Sequence, residues 1–334
     1  MSQPDGKRIG IGMVGGLPVR EAVAYARAAE KAGVNSFWVH ETYGLRDALG
    51  YLSAAALVTD RLVLGAGCVN SFTRSAALMA MAAASLQELA AGRFRLGIGT
   101  AYSRLHNLGY HRDYSVSSLR EMTEACRQLW RGETVTTEGH VVNLNGMKLL
   151  LPPANVPIYF AVKGPKSMVL TAELADGHLD GPMTPAAVSA AHIAQLKAAI
   201  RGSRPFDFTS YLFCSFAEDR KAARDLARND PFLLYLFQME SMNAFVQAGL
   251  DPAIRTSVAA ALKAGDSELA SKLITDDVLD CFVLCGTEQD IVEQLGPFVE
   301  AGLDEPILQP LKPSPQAFRA AIATAQAFQG ASML

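Results

Sequence analysis

Apolar and polar positions along this chain follow two interleaved periods. Short runs of β-forming residues recur, and each is followed by a longer stretch whose apolar positions repeat every three or four residues. The runs fall at residues 8–14, 36–40, 61–64, 93–99 and 157–162, within 177–183, and at 208–216 and 306–310. Helical patterns cover 19–32, 46–59, 76–86, 116–130, 166–175, 185–201 and 287–301. The first helix stops at Gly33, a residue suited to the left-handed conformation that ends helices. Strand-helix alternation without a linker marks parallel βα units. Eight such units predict an α/β fold, a (β/α)8 TIM barrel, with 1–334 forming a single domain.

Two stretches break the alternation. Thr134-Val-Thr-Thr-Glu-Gly-His-Val-Val142 reads as a β-hairpin inside an insertion at about 132–153, after the fourth helix. Residues 217–280 are helical in composition, punctuated by Pro231, Gly249, Pro252 and Gly265, and make a second insertion after the seventh strand. Its run Phe232-Leu-Leu-Tyr-Leu-Phe-Gln-Met-Glu-Ser-Met242 is apolar, and fits either ordinary helix packing or an apolar wall over the barrel mouth.

The stretch Arg61-Leu-Val-Leu-Gly-Ala-Gly-Cys-Val-Asn-Ser-Phe-Thr-Arg-Ser75 passes from strand through a glycine-bearing polar turn into a helix capped by Thr73 or Ser75. Gly65 and Gly67 let the backbone leave strand geometry or lie close against a flat ligand. Gly10-Ile-Gly-Met-Val-Gly15 also fits the dinucleotide fingerprint G-x-G-x-x-G, which makes a doubly wound open sheet the competing architecture. Its glycines, however, lie inside the strand pattern instead of after it.

Composition narrows the function. The 334 residues are 50% hydrophobic and carry a net charge of −3, as expected of a soluble globular protein with a large core. No basic run offers a landing site for nucleic acid or an anionic membrane. The polar start lacks a signal region, and no stretch approaches the roughly 18 apolar residues of a membrane helix, so the expected location is cytoplasmic. Five cysteines, without C-x-x-C spacing, indicate neither a disulfide framework nor a zinc site, and Cys281 and Cys285 read as core residues. No histidine or carboxylate spacing suggests a metal.

The chain resembles the bacterial luciferase-like oxidoreductase superfamily, especially its deazaflavin-dependent branch typified by methylenetetrahydromethanopterin reductase. The resemblance is carried by Ala28-Ala-Glu-Lys-Ala-Gly33 leading to Phe37-Trp-Val39, Leu64-Gly-Ala-Gly-Cys-Val-Asn70 with Arg74-Ser75, and Leu86-Gln-Glu-Leu-Ala-Ala-Gly-Arg93 with Leu96-Gly-Ile-Gly-Thr100. Further on it includes Leu108-Gly-Tyr110, Leu129-Trp-Arg-Gly-Glu133, Pro157-Ile-Tyr159, Gly164-Pro-Lys166 and Ala172-Glu-Leu-Ala-Asp-Gly177. These cover nearly the whole chain in order.

The resemblance implies a barrel whose C-terminal mouth binds coenzyme F420, or alternatively FMN. It also implies a non-prolyl cis peptide at Gly67-Cys68 behind the ring, with Val69, Asn70, Ser71 and Thr100 nearby. Chemistry adds a phosphate site, because Gly164-Pro165-Lys166, preceded by Lys163, opens a helix after the fifth strand and presents backbone N–H groups and positive charge. Ala175, Asp176 and Gly177 start the next unit, where the family lines the phosphate-ribityl tail.

The chain departs from these relatives where their acids and bases sit. The Asp-His pair ending the second strand in the deazaflavin dehydrogenases is Glu41-Thr42 here, with His40 before it. The acid after the relatives' fourth-strand Gly-x-Gly is replaced within Gly99-Thr-Ala-Tyr102, and the reductase's first-strand acid is matched by Gly12. Glu41, on the catalytic face of a barrel, is the leading candidate for general acid, with Tyr102 and His40 as further catalytic candidates. The implied function is an F420-dependent oxidoreductase acting on a small organic substrate as a homodimer. The alternatives are an FMN-dependent luciferase-like monooxygenase using reduced flavin and oxygen, and a non-catalytic flavin-fold protein.

Overall fold

The computed structural model describes residues 7–100, 105–110 and 113–331. Its strands are β1 (Gly10–Val14), β2 (Ser36–His40), β3 (Val63–Asn70), β4 (Phe94–Gly99), β5 (Val135–Glu138), β6 (Asn143–Met147), β7 (Ile158–Ala161), β8 (Gly177–Asp180), β9 (Asp207–Phe216), β10 (Val283–Gly286) and β11 (Glu305–Pro310). Eight of them form a ring in the hydrogen-bonded order β9-β11-β1-β2-β3-β4-β7-β8, which a β8–β9 pairing completes. Registered pairs in the ring are parallel, as in Ser36↔Val63 and Leu96↔Ile158. Parallel neighbours require crossover connections, which the intervening helices supply. The fold is the expected (β/α)8 barrel.

β3 does not stop at Leu64. The small residues Gly65, Ala66 and Gly67 keep pairing possible beside β4, and the ladder continues to Asn70↔Gly99. It slips once, between Ala66 and Val69, and the Gly67-Cys68 peptide bond inside the slip is cis. The glycine-bearing stretch is therefore strand with a bulge, not turn. Ser75, not Thr73, caps the helix Ala76–Leu89, accepting from Leu78 N–H at 3.3 Å. β10 is too short to stand out beside a long helical stretch, and it pairs with Phe213–Phe216 of β9.

The chain packs as two compact units, one of residues 12–179 and 195–207, the other of 1–11, 180–194 and 208–334. In the first, Phe37, Phe94, Ile98 and Phe160 are buried, as are Met79, Ala80, Ala83 and Leu86 of the helix Ala76–Leu89. The Trp38 and Tyr159 rings meet edge to face at 5.7 Å, and Arg95 lies 5.5 Å from the Tyr159 ring centre and 3.6 Å from Asp207. The β5–β6 hairpin lies outside the ring and runs on to Met147. Its turn is pinned by Glu121, whose carboxylate accepts from His140, Val141 and Val142 N–H at 3.0, 2.8 and 2.9 Å.

In the other unit, the helices of 217–280 build an apolar cluster. Phe237 stands 5.2 Å from Phe282 and 6.2 Å from Phe245, with Leu233, Val258, Ile274 and Leu279 packed into the same cluster. The apolar run at 232–242 is thus consumed by helix packing, and only Phe232 remains largely exposed among its phenylalanines. Cys285 is buried, whereas Cys281 is half-buried and its thiol donates to Asp277 O at 3.3 Å. Among the described residues no helix is long and apolar enough to cross a membrane.

Candidate active site

The C-terminal ends of β2, β3, β4 and β7 all belong to the unit formed by 12–179 and 195–207. In a (β/α)8 barrel this is the end on which chemistry is carried. Glycines along these strands let the barrel wall pack closely. A Cβ on Gly97 would lie 2.3 Å from Ala66 O, and one on Gly99 2.6 Å from Cys68 Sγ, so a side chain at either position collides with the β3 bulge. Gly65 and Gly177 make room for two rings, because a Cβ there would stand 2.1 Å from Trp38 and 2.3 Å from Tyr159. Gly10 and Gly12 lie within β1 itself, which removes the dinucleotide-loop reading.

Glu41 directly follows β2, and its side chain is only 9% exposed. Oε1 accepts from Arg74 Nη2 at 2.5 Å, and the same nitrogen also holds Asp47. Among the described residues Oε2 has no hydrogen-bond partner, and it is buried. Leaving such an acceptor unmade costs about 1–3 kcal/mol, a cost that a partner arriving from outside would offset. Asp47 is itself fixed as the N-cap of the helix Ala48–Ala56, accepting from Gly50 N–H at 2.9 Å. Burial works to raise its pKa, but the hydrogen bonds from Arg74 and Gly50 outweigh it and hold the carboxyl below the usual range.

Two protonated groups lie close by. Burial, with the Glu41 charge adding to it, pushes the Cys68 thiol up to about 12. Burial likewise takes Tyr43 up to about 12, although its hydroxyl donates to Thr73 Oγ1 at 3.3 Å.

The turn at Gly164-Pro165-Lys166 follows β7. Gly164 precedes the helix Pro165–Leu174, which has Pro165 at its first position, no side-chain cap and no acid in its first turn. Lys163, Gly164, Pro165 and Lys166 are all exposed. A helix start with adjacent cations suits a phosphate.

Ala175, Asp176 and Gly177 do not join that turn. They open β8 beside the start of β7: Gly177 pairs with Tyr159, and Asp176 Oδ2 accepts from Ile158 N–H and from Arg127, both at 2.8 Å. This is the N-terminal end of the strands, opposite the mouth. Strand direction overturns their assignment to the cofactor tail, and the Asp176 carboxylate is occupied in joining strand to helix.

Asn70 and Ser71 shape the exit from β3. Asn70 Oδ1 accepts from Phe72 N–H at 2.9 Å, while Ser71 Oγ lies 2.7 Å from Ser118 Oγ and its N–H donates to Gly99 O at 3.1 Å. Val69 and Thr100 are buried. His40 ends β2 half-buried, and Tyr102 lies outside the described residues.

Sequence reasoning gave no role to Arg74, Asp47 or Tyr43. Arg74 did carry a signal. It directly precedes the Ser75 cap, at the positive end of a helix dipole, where a cation is disfavoured unless acids sit nearby. In the other unit, the buried pair Asp180 and His192, 2.8 Å apart, was equally invisible.

The model of the luciferase-like monooxygenase family matches residues 6–305. A 5,10-methylenetetrahydromethanopterin reductase from Archaeoglobus fulgidus is 30% identical over 316 residues, covering 89% of this chain and 92% of the relative. Its counterpart from Methanolobus tindarius is 28% identical over 300 residues, again covering 89% and 92%. The structure of the coenzyme F420-dependent tetrahydromethanopterin reductase from Methanopyrus kandleri superposes with a TM-score of 0.86 at 19% identity, covering 98% of this chain and 100% of that one, and so shares its fold. The chain belongs to the luciferase-like monooxygenase family.

Proposed function

We propose that this protein is a coenzyme F420-dependent oxidoreductase that moves a hydride between the deazaflavin and a small organic substrate. One observation carries the reading. The buried Oε2 of Glu41, without a partner among the described residues, stands at the strand end next to the bulge of β3, in a chain similar to pterin reductases over most of its length. The residues present fit the cofactor, since a buried acceptor without a partner among the described residues, a strand bulge packed against glycines and an uncapped helix start lie in one unit.

Bound F420 supplies the hydride-carrying carbon. In this reading Gly67, Cys68 and Val69 back the ring, Asn70, Ser71 and Thr100 shape its surroundings, and Lys163 to Lys166 hold the phosphate. Glu41 faces the reacting partner, with His40 and Tyr102 as the remaining catalytic candidates. Hydride transfer asks little more of a protein than positioning and exclusion of water.

The chain works as a single barrel domain, supported by a family match spanning 6–305. A homodimer is supported by Leu78, Met81 and Leu89, which leave an exposed apolar stripe on the helix Ala76–Leu89, beside which Leu57 is also exposed. A cytoplasmic location is supported by five free cysteines. Light scattering on a sizing column tests the dimer, with Leu78→Glu expected to shift it to monomer.

The cofactor is tested by titrating the purified chain with F420 and with FMN, then following F420H2 oxidation against a panel of small acceptors. Quenching of deazaflavin fluorescence with saturation, and oxidation by at least one acceptor, are expected. Tight FMN binding without F420 binding, joined by oxygen consumption with reduced FMN, would replace the reading by the monooxygenase. Binding of neither would favour the non-catalytic flavin-fold reading.

A further inference from the structure

We infer that Arg74, anchored by Asp47, is a positioning residue that holds Glu41 so that Oε2 accepts a hydrogen bond from an N–H or O–H donor on the bound small molecule. The inference rests on the F420 reading and narrows the group bound at this strand end, on cofactor or substrate, to a hydrogen-bond donor or a cation, against an anion.

The contacts form a chain of fixed points. Gly50 N–H holds Asp47, Asp47 holds Arg74, and Arg74 holds Glu41. Arginine–carboxylate pairs are frequently bidentate, the fork making two parallel bonds. Arg74 instead uses Nη2 for both acids, and leaves its own Nε, like Glu41 Oε2, buried without a partner. Among the described residues Glu41 Oε2 is the only buried carboxylate oxygen left so, which makes it a prepared acceptor.

Charge selects what the acceptor takes. Among the described residues, the titratable and charged groups around Glu41 are Arg74 and Asp47, the thiol of Cys68, the phenol of Tyr43, and His40 next to it in the chain. With thiol and phenol protonated, two carboxylates face one guanidinium, so the cluster repels an anion and welcomes a donor or a cation. The cations suited to phosphate, Lys163 and Lys166, lie at a different strand end, after β7.

The test uses the full chain with 13C-labelled glutamate, the Glu41 carboxyl resonance being identified by its loss in Glu41→Gln. Addition of F420 is expected to move that resonance if the donor is on the cofactor. If the donor is on the substrate, the resonance moves only when F420 and an acceptor found in the oxidation panel are both present. Fluorescence quenching by F420 with no movement under either condition overturns the inference, whereas absence of quenching overturns the cofactor reading instead.

Positioning is tested with the same resonance. In folded Arg74→Met its movement, under the condition that moves it in the parent chain, should fall several-fold, with Arg74→Lys restoring most of it. Asp47→Asn, which keeps the helix cap, should reduce the movement by less. Full movement in folded Arg74→Met and Asp47→Asn chains overturns the positioning role.

Discussion

Gly99 and Cys68 are complementary across the β3–β4 seam: a Cβ on Gly99 would stand 2.6 Å from the Cys68 sulfur and 3.1 Å from Ala161 O. Gly99→Ala should therefore cost about 1–3 kcal/mol by overpacking and weaken F420 binding. Adding Cys68→Ala should recover part of the stability, because the nearer obstacle is then gone while the carbonyl remains. Urea unfolding of the parent, both single variants and the double variant measures this, and strictly additive losses would refute the contact.

Glu30 and Glu121 each accept three successive backbone N–H groups, Glu30 from Asp60, Arg61 and Leu62 and Glu121 from His140, Val141 and Val142. Burial opposes ionisation of both, yet the N–H bonds prevail and hold both carboxyls below the usual range. A folded pKa below the unfolded one means that the stabilisation is complete above about pH 4.5 and is lost as pH falls through the folded value. Glu30→Gln and Glu121→Gln should each flatten the acid side of a stability-against-pH curve. Glu121→Ala should cost about 1–3 kcal/mol and speed amide exchange at 140–142.

Asp176 and Lys166 lie near opposite ends of the strands, and their variants should separate. Asp176→Ala is expected to lower the melting temperature through loss of its Ile158 and Arg127 contacts, with F420 affinity within about twofold of the parent. Lys166→Ala should leave the melting temperature within about 1 °C and weaken F420 several-fold. Calorimetric titration with thermal melts decides between this and a tail-binding role for Asp176.

Phe237 is fully buried between Phe245 and Phe282. Phe237→Ala should cost about 3–5 kcal/mol, read from urea midpoints. A loss below about 1 kcal/mol would mean that the helical region is not the packed body described above.

Much of this fold was legible because each barrel strand leaves a local trace. A short apolar run flanked by helical periodicity located all eight ring strands, and the order of βα units left a closed parallel ring as the economical solution. The bulge at Gly67-Cys68 was anticipated from family likeness, while the extension of β3 to Asn70 was missed because glycine and asparagine read as turn when the partner strand is unknown. β10 left too little pattern to see. Glu41 could be singled out from its place at a strand end, but its orphaned oxygen could not, since that depends on Arg74 and Asp47 arriving from other segments.

By itself, then, the sequence determined the periodicities, the eight ring strands and the helix start at Pro165, all of which are set by neighbours along the chain. Only the tertiary structure decided that Ala175 to Gly177 face away from the mouth, that the run at 232–242 packs inward, and that one arginine holds two acids at the end of β2. Those outcomes depend on strand direction and on contacts between residues dozens of positions apart, and no local pattern encodes them.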